Sequence, residues 1–377
     1  MNDDVTTTRT KRRSRPLAIA RQGWFYVGGR HVKVADGEFR AGQMYVECQV
    51  PARRERPYPI VMWHGNWQSG TNFTGTPDGR EGWAQYFLRR GYTVYVIDQP
   101  GRGRSGYHPA VCGAQSVQDR KAAEARFTAP ARSRLWPQSR RHTQWPGSGV
   151  AGDPAFDQFY ASQLPSIQDL HLSQSLNRDA GAALLDRIGP AILLTHSQSG
   201  AYGWLIADAR PKRVKAIVAV EPSGPPVHEA PGKRGGARTK PWGLAWEPLR
   251  YAPAATDAGQ LAFVQQPRPD GDGLLACWLQ REPARRLKNL ARVPVAIITG
   301  EASYHAPYDH CTARYLEQAG VRTTFIPLAA RGIRGNGHMM MLERNSDEIA
   351  GVIHRWLDRS VGRARRKTRT RRKEHAK

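Results

Sequence analysis

The chain has 377 residues, 40% of them hydrophobic with 11 Trp, 13 Tyr and 9 Phe, a composition that excludes a disordered protein and allows a sizeable core. Its formal net charge of +25 points at first to nucleic acid or an anionic surface. No apolar run approaches the roughly 18 residues of a transmembrane helix, so no membrane span is expected.

In chain order, residues 1–22 carry six positive and two negative groups without apolar periodicity, and predict a disordered basic arm. The apolar stretch Leu17–Ala20 after the basic run is shorter than the ~7–15 residues of an export signal. An early hairpin is expected at Trp24–Val27 and Met44–Val50. Buried strands follow at Ile60–Trp63, Thr93–Ile97, Ala191–Thr195, Val214–Val220, Val295–Thr299 and Thr324–Pro327. Helical patterns fit between them at Trp83–Arg90, Ala180–Arg187, Ala201–Ala209, Tyr308–Ala319 and Ser346–Arg359.

This alternation predicts an α/β protein with a mostly parallel, doubly wound sheet of about eight strands. Two long stretches, 107–175 and 222–290, are rich in Pro, Gly, Trp and Arg and read as cap insertions over a pocket, not as a second domain. The body thus spans 23–360, and 361–377, with nine positive groups and one Glu, is a second basic tail. Much of the charge therefore sits outside the body, and nucleic acid is expected as a partner only through the tails. The four cysteines, Cys48, Cys112, Cys277 and Cys311, lie far apart with no CxxC pair. That spacing argues against a disulfide scaffold or zinc ribbon and fits a reducing compartment, so a cytoplasmic location is expected.

The chemistry concentrates in three segments. Ile192–Thr195 runs through His196 into Ser197-Gln198-Ser199-Gly200-Ala201, a strand meeting a helix across a tight turn with Ser197 at its apex. Thr195 and Ser199 stand where the nucleophile elbow usually has glycines. Upstream, the strand Ile60–Trp63 ends in His64-Gly65-Asn66-Trp67, a loop placed to supply one of two backbone N–H groups for an oxyanion. The candidate donors are Asn66 and Gln198, with Trp67 the alternative to Asn66. His64 itself reads as structural, fixing the turn. Downstream, Gly335-Asn336-Gly337-His338 follows the last strand and places His338 as general base.

The acid is the irregular member. After the strand Val295–Thr299 the sequence reads Gly300-Glu301-Ala302-Ser303, with Ser303 where an Asp is usual. Glu221, closing the apolar run Ala216–Val220, is costly to bury unless paired and is the preferred acid. Glu301 and Asp309 are the alternatives.

Together these residues resemble the α/β-hydrolase superfamily, and within it a group of bacterial and fungal esterases related to esterase 713. The likeness rests on His64-Gly65, Thr76-Pro77-Asp78-Gly79-Arg80, the run from Tyr92 to Ser105, His196-Ser197-Gln198-Ser199-Gly200, Val220-Glu221-Pro222, and Gly335-Asn336-Gly337-His338 through Glu343-Arg344-Asn345. It implies a triad of Ser197, Glu221 and His338 and oxyanion donors Asn66 and Gln198. The chain departs from that group after His64-Gly65, where Asn66-Trp67 replaces a cysteine pair.

The expectation is a serine hydrolase that cleaves a small carboxylic ester or lactone through an acyl-enzyme. The alternatives are an acyltransferase on the same triad, or an anionic-surface or nucleic-acid binder with an inactive core. Arg102 and Arg104 in Gly101-Arg102-Gly103-Arg104 lack the residues of a phosphate loop and read as a tight turn below the pocket. His108, His305 and His310 lack metal-ligand spacing, so neither metal nor cofactor is expected.

Overall fold

The computed structural model describes residues 16–35, 37–230 and 240–362. Most of the two expected arms, 1–15 and 363–377, lies outside the described residues.

One eight-stranded sheet organises the chain. Its strands are β1 (Ile19–Val34), β2 (Gly37–Pro51), β3 (Ile60–Trp63), β4 (Val94–Asp98), β5 (Ala191–His196), β6 (Val214–Val220), β7 (Val295–Thr299) and β8 (Thr323–Pro327). They lie in the order β1-β2-β4-β3-β5-β6-β7-β8. The β1–β2 hairpin is antiparallel to itself and to β4, and every pairing from β4 to β8 is parallel. This is the α/β-hydrolase architecture. The hairpin is far longer than Trp24–Val27 with Met44–Val50, and β1 starts at Ile19, inside the stretch expected as an arm. The buried apolar part lies against the sheet, at Val27, Ala41, Met44, Tyr45, Val46 and Cys48. The rest pairs strand to strand under mostly exposed side chains, which leave no hydrophobic signal.

Burial on both faces explains the short apolar strands. Alternate residues of β3 face opposite sides. Val61 and Trp63 pack with α3 (Leu170–Ile188), α4 (Ser199–Ala209) and α5 (Asp309–Gln318). Ile60 and Met62 pack on the other side with α1 (Trp83–Leu88) and α6 (Ser346–Val361). The sequence pattern starts α3 ten residues late, at Ala180. Asp169 caps the true start by accepting from the Leu172 N–H at 3.1 Å. The first turns bury polar groups, which disguises them: Asn177 Oδ1 accepts from Trp63 Nε1, Ser173 bonds Tyr202, and Gln174 accepts from the Trp246 N–H.

The two long stretches lie between β4 and β5 and between β6 and β7. The first carries short helices, including α2 (Pro154–Ala161). The second holds two small ladders, Tyr251–Ala252 with Arg286–Leu287 and Phe263–Gln265 with Trp278–Gln280. Cys277 and Cys311 form a disulfide between the second insertion and α5, their Cα atoms 5.0 Å apart. The reading of reduced, separated cysteines is corrected here: 34 residues of chain separate the two, but the fold returns to the same place. Cys48 and Cys112 are unpaired and buried. Among the described residues no helix is long and apolar enough to cross a membrane.

Candidate active site

The turn between β5 and α4 places Ser197 at its apex with φ of 57°, a left-handed conformation rare outside glycine. Three contacts hold it there. The Ser197 N–H donates to the Val220 carbonyl at 3.0 Å, and the Ser197 carbonyl accepts from the Gly200 and Ser223 N–H groups. Ser199, in the usual glycine position, is tolerated because its hydroxyl is tied inward: it accepts from the His196 N–H and donates to the Trp63 carbonyl. The closest approach has moved along the helix. A Cβ on Gly200 would stand 2.4 Å from Pro222 Cβ, and one on Gly203 would stand 3.1 Å from Thr195 Cγ2.

Glu221 leaves β6 with φ of 45° and is fully buried. Its Oε2 lies 2.6 Å from His338 Nδ1 and accepts from the Ser303 hydroxyl at 2.5 Å, while Oε1 accepts from the Gly300 N–H at 2.7 Å. Burial and the nearby Asp309 carboxylate push the Glu221 carboxyl well above its ordinary range, against the pull of the Ser303 and Gly300 hydrogen bonds. Ser303, in the position where the sequence pattern leads one to seek an acid, thus donates to the acid one strand away.

The alternative acids are engaged elsewhere. Glu301 Oε1 accepts from Arg334 and its Oε2 from the Gly335 N–H. Asp309 bonds His305 Nδ1 at 2.8 Å and accepts from the Thr299 hydroxyl at 2.8 Å. His338 is carried on a loop pinned by Glu343, which accepts from the Gly337 N–H and Asn336 Nδ2 and lies 2.7 Å from His142 Nε2. With Nδ1 facing a carboxylate, His338 presents Nε2 as an acceptor.

The two oxyanion candidates share one cavity of about 190 Å³ with Ser197 and His338. Trp67 is excluded as the alternative donor because its N–H donates to Ser166 Oγ at 2.8 Å. A larger cavity of about 790 Å³, walled by Arg178, Trp242 and Lys288, includes none of these residues.

Sequence reasoning missed Tyr304. Its hydroxyl lies 3.2 Å from His338 Nε2, its ring packs on the imidazole with centroids 4.7 Å apart, and it lines the same cavity as Ser197. Burial raises its hydroxyl far above the ordinary tyrosine range, so it stays protonated and can donate. The available signal was Ser303: once that side chain turns to Glu221, the next residue is carried over the site. His305 was weighed as a metal ligand, and it does lie within 4.8 Å of the Glu221 and His338 ligand atoms. These groups are nevertheless committed to one another and to Asp309. Cys277 and Cys311 near His310 form a second such group, but their sulfurs are oxidised to the disulfide.

Residues 60–352 match the model of the Alpha/beta hydrolase family. The chain is 48% identical over 337 residues to a probable secreted lipase, phiG, of a fungal species (strain ATCC 74256), covering 89% of each protein. It is also similar to a solved bacterial esterase, with 26% identity and a TM-score of 0.62 over 92% of this chain and 98% of the other. The expectation of a cytoplasmic protein is overturned by the secreted relative; cysteine spacing had suggested a reducing compartment, and that inference fails with the Cys277–Cys311 bridge. The chain belongs to the α/β-hydrolase family, alongside esterases and lipases of bacteria and fungi.

Proposed function

We propose that the protein is a serine esterase of the esterase 713-related group, acting on a carboxylic ester or lactone with Ser197 as nucleophile, His338 as general base and Glu221 as the acid. The observation that carries this reading is the 2.6 Å contact between Glu221 Oε2 and His338 Nδ1, beside a strained Ser197 that opens into the same cavity as His338. Glu221 fixes the imidazole with its Nδ1 proton inward and stabilises the imidazolium formed when Nε2 takes a proton.

Ser197 Oγ attacks the acyl carbon and its proton passes to His338. The Asn66 and Gln198 N–H groups receive the oxyanion, and collapse expels the alcohol, which takes the proton back from His338. A water then repeats the sequence to free the acid. In the resting enzyme the Tyr304 hydroxyl bonds His338 Nε2 at 3.2 Å beside Ser197 in the same cavity, and it holds the imidazole in place before substrate enters. Arg126 and Lys240 line the cavity with Glu229, a polar wall that suits an ester bearing further oxygen functions. Incubation with a fluorophosphonate probe tests the reading: labelling maps to Ser197 and disappears in Ser197→Ala. Labelling that persists in that variant overturns it.

A further inference from the structure

Arg102 belongs to a turn that sequence reasoning set aside, yet it is only 3% exposed and makes no ion pair among the described residues. Asp98, the acid whose charge reaches it through space, is committed to Arg104 and to the Gly70 N–H. A guanidinium buried without a carboxylate partner is expensive. Desolvation lowers its pKa only to about 10, so it remains charged at neutral pH.

The two prongs of that guanidinium reach both halves of the proposed oxyanion hole. Nη1 donates to the Gly65 carbonyl at 2.8 Å, and Nη2 reaches Gln198 Oε1 at 3.4 Å. The Gly65 carbonyl and the Asn66 N–H belong to one planar, conjugated peptide unit. Pulling electron density toward that carbonyl oxygen makes the Asn66 N–H a stronger donor. His64 acts in the same direction. The Gln99 N–H donates to His64 Nε2 at 3.1 Å, so the ring proton sits on Nδ1, 3.0 Å from the Gly65 carbonyl. Burial and the Arg102 charge hold the His64 pKa down to about 3, which keeps this ring neutral and its tautomer fixed.

We infer that Arg102 is a positioning residue that charges the oxyanion hole from behind, polarising the Gly65–Asn66 peptide and anchoring Gln198. The inference rests on the esterase reading above. The contribution of Arg102 appears only when negative charge develops on the substrate oxygen, and so falls on kcat and not on KM.

The test compares wild type with Arg102→Met and Arg102→Lys. Kinetics on a short neutral ester are combined with the inhibition constant of a trifluoromethyl ketone, whose serine adduct carries an oxyanion. Loss of a whole oxyanion donor costs about 10²–10³ in kcat. Weakening one donor and loosening the other should therefore cost Arg102→Met about ten- to a hundredfold, with matched loss of ketone affinity and KM within about threefold. Arg102→Lys keeps the charge but not the fork, and should fall between the two. It decides the matter alone if the methionine variant does not fold. Arg102 variants that match wild type in both kcat and ketone affinity overturn the inference, provided Ser197→Ala is inactive. If Ser197→Ala still hydrolyses the ester, the esterase reading itself fails and this inference falls with it.

Discussion

Replacing Glu221 with Gln is the sharpest perturbation of the site, because it changes charge and tautomer with almost no change in volume. Glu221 accepts on both oxygens: Oε1 from the Gly300 N–H at 2.7 Å, and Oε2 from Ser303 at 2.5 Å while facing His338 Nδ1 at 2.6 Å. A glutamine can keep its carbonyl toward Gly300, and its NH2 must then face His338 and Ser303. Nδ1 is forced to accept, the ring proton moves to Nε2, and the nitrogen that should receive the Ser197 proton is no longer basic. Loss of the correct tautomer costs about 10⁴ in kcat in the serine-protease triad, or about 5.5 kcal/mol of transition-state stabilisation. Initial rates on a short-chain ester should therefore fall by about 10³–10⁴ in Glu221→Gln with KM little changed. Glu301→Gln and Asp309→Asn should each retain at least about a tenth of wild-type kcat, since neither carboxylate touches His338. Thermal melting of each variant separates lost chemistry from lost fold. Glu221→Gln within tenfold of wild type, or Glu301→Gln as impaired as expected for Glu221→Gln, refutes this reasoning.

Tyr304→Phe keeps the ring contacts with Phe127 and His338 but removes the hydroxyl that bonds His338 Nε2. Pre-steady-state acylation should slow about tenfold with a normal melting temperature, and an unchanged acylation rate contradicts the proposed positioning role. The Cys277–Cys311 bridge spans 34 residues and should contribute about 3–4 kcal/mol by loop closure. Reduction, or Cys311→Ser, should lower the urea midpoint accordingly, and an unchanged midpoint refutes this. His64 and His196 are buried neutral, each with a pKa held down to about 3 from 6.5, chiefly by desolvation. The unfolded chain binds protons that the folded one refuses, so stability is full above about pH 6.5 and falls as pH drops toward 3. Urea midpoints constant across that window contradict the burial argument.

The sheet was legible because its interior strands are buried on both faces. Ile60–Trp63, Val295–Thr299 and, apart from Lys215, Val214–Val220 are apolar runs with the bounds the sequence suggests. The hairpin was legible where Trp24–Val27 meets Met44–Val50, but its full length was not, since much of β1 and the start of β2 pair through backbone groups while their side chains face solvent. The early turns of α3 were hidden because the surface they bury is polar. At the site, Ser197, Glu221 and His338 each follow an apolar strand or a glycine-rich turn, a local pattern that can be read directly. Tyr304, the Arg102 contacts and the Cys277–Cys311 bridge depend on where remote segments meet, and no local pattern encodes that meeting.

The net charge also gains a location. The cation that matters most to the proposed chemistry is not one of those crowding the tails but Arg102, sealed beneath the elbow.

Fluorophosphonate labelling followed by peptide mass spectrometry tests whether Ser197 is a nucleophile activated by the His338–Glu221 pair. The expected result is a single phosphonylated peptide containing Ser197, labelling abolished in Ser197→Ala, and labelling slowed by orders of magnitude in His338→Ala and Glu221→Gln. A modified serine elsewhere, or wild-type labelling rates in His338→Ala, would contradict it.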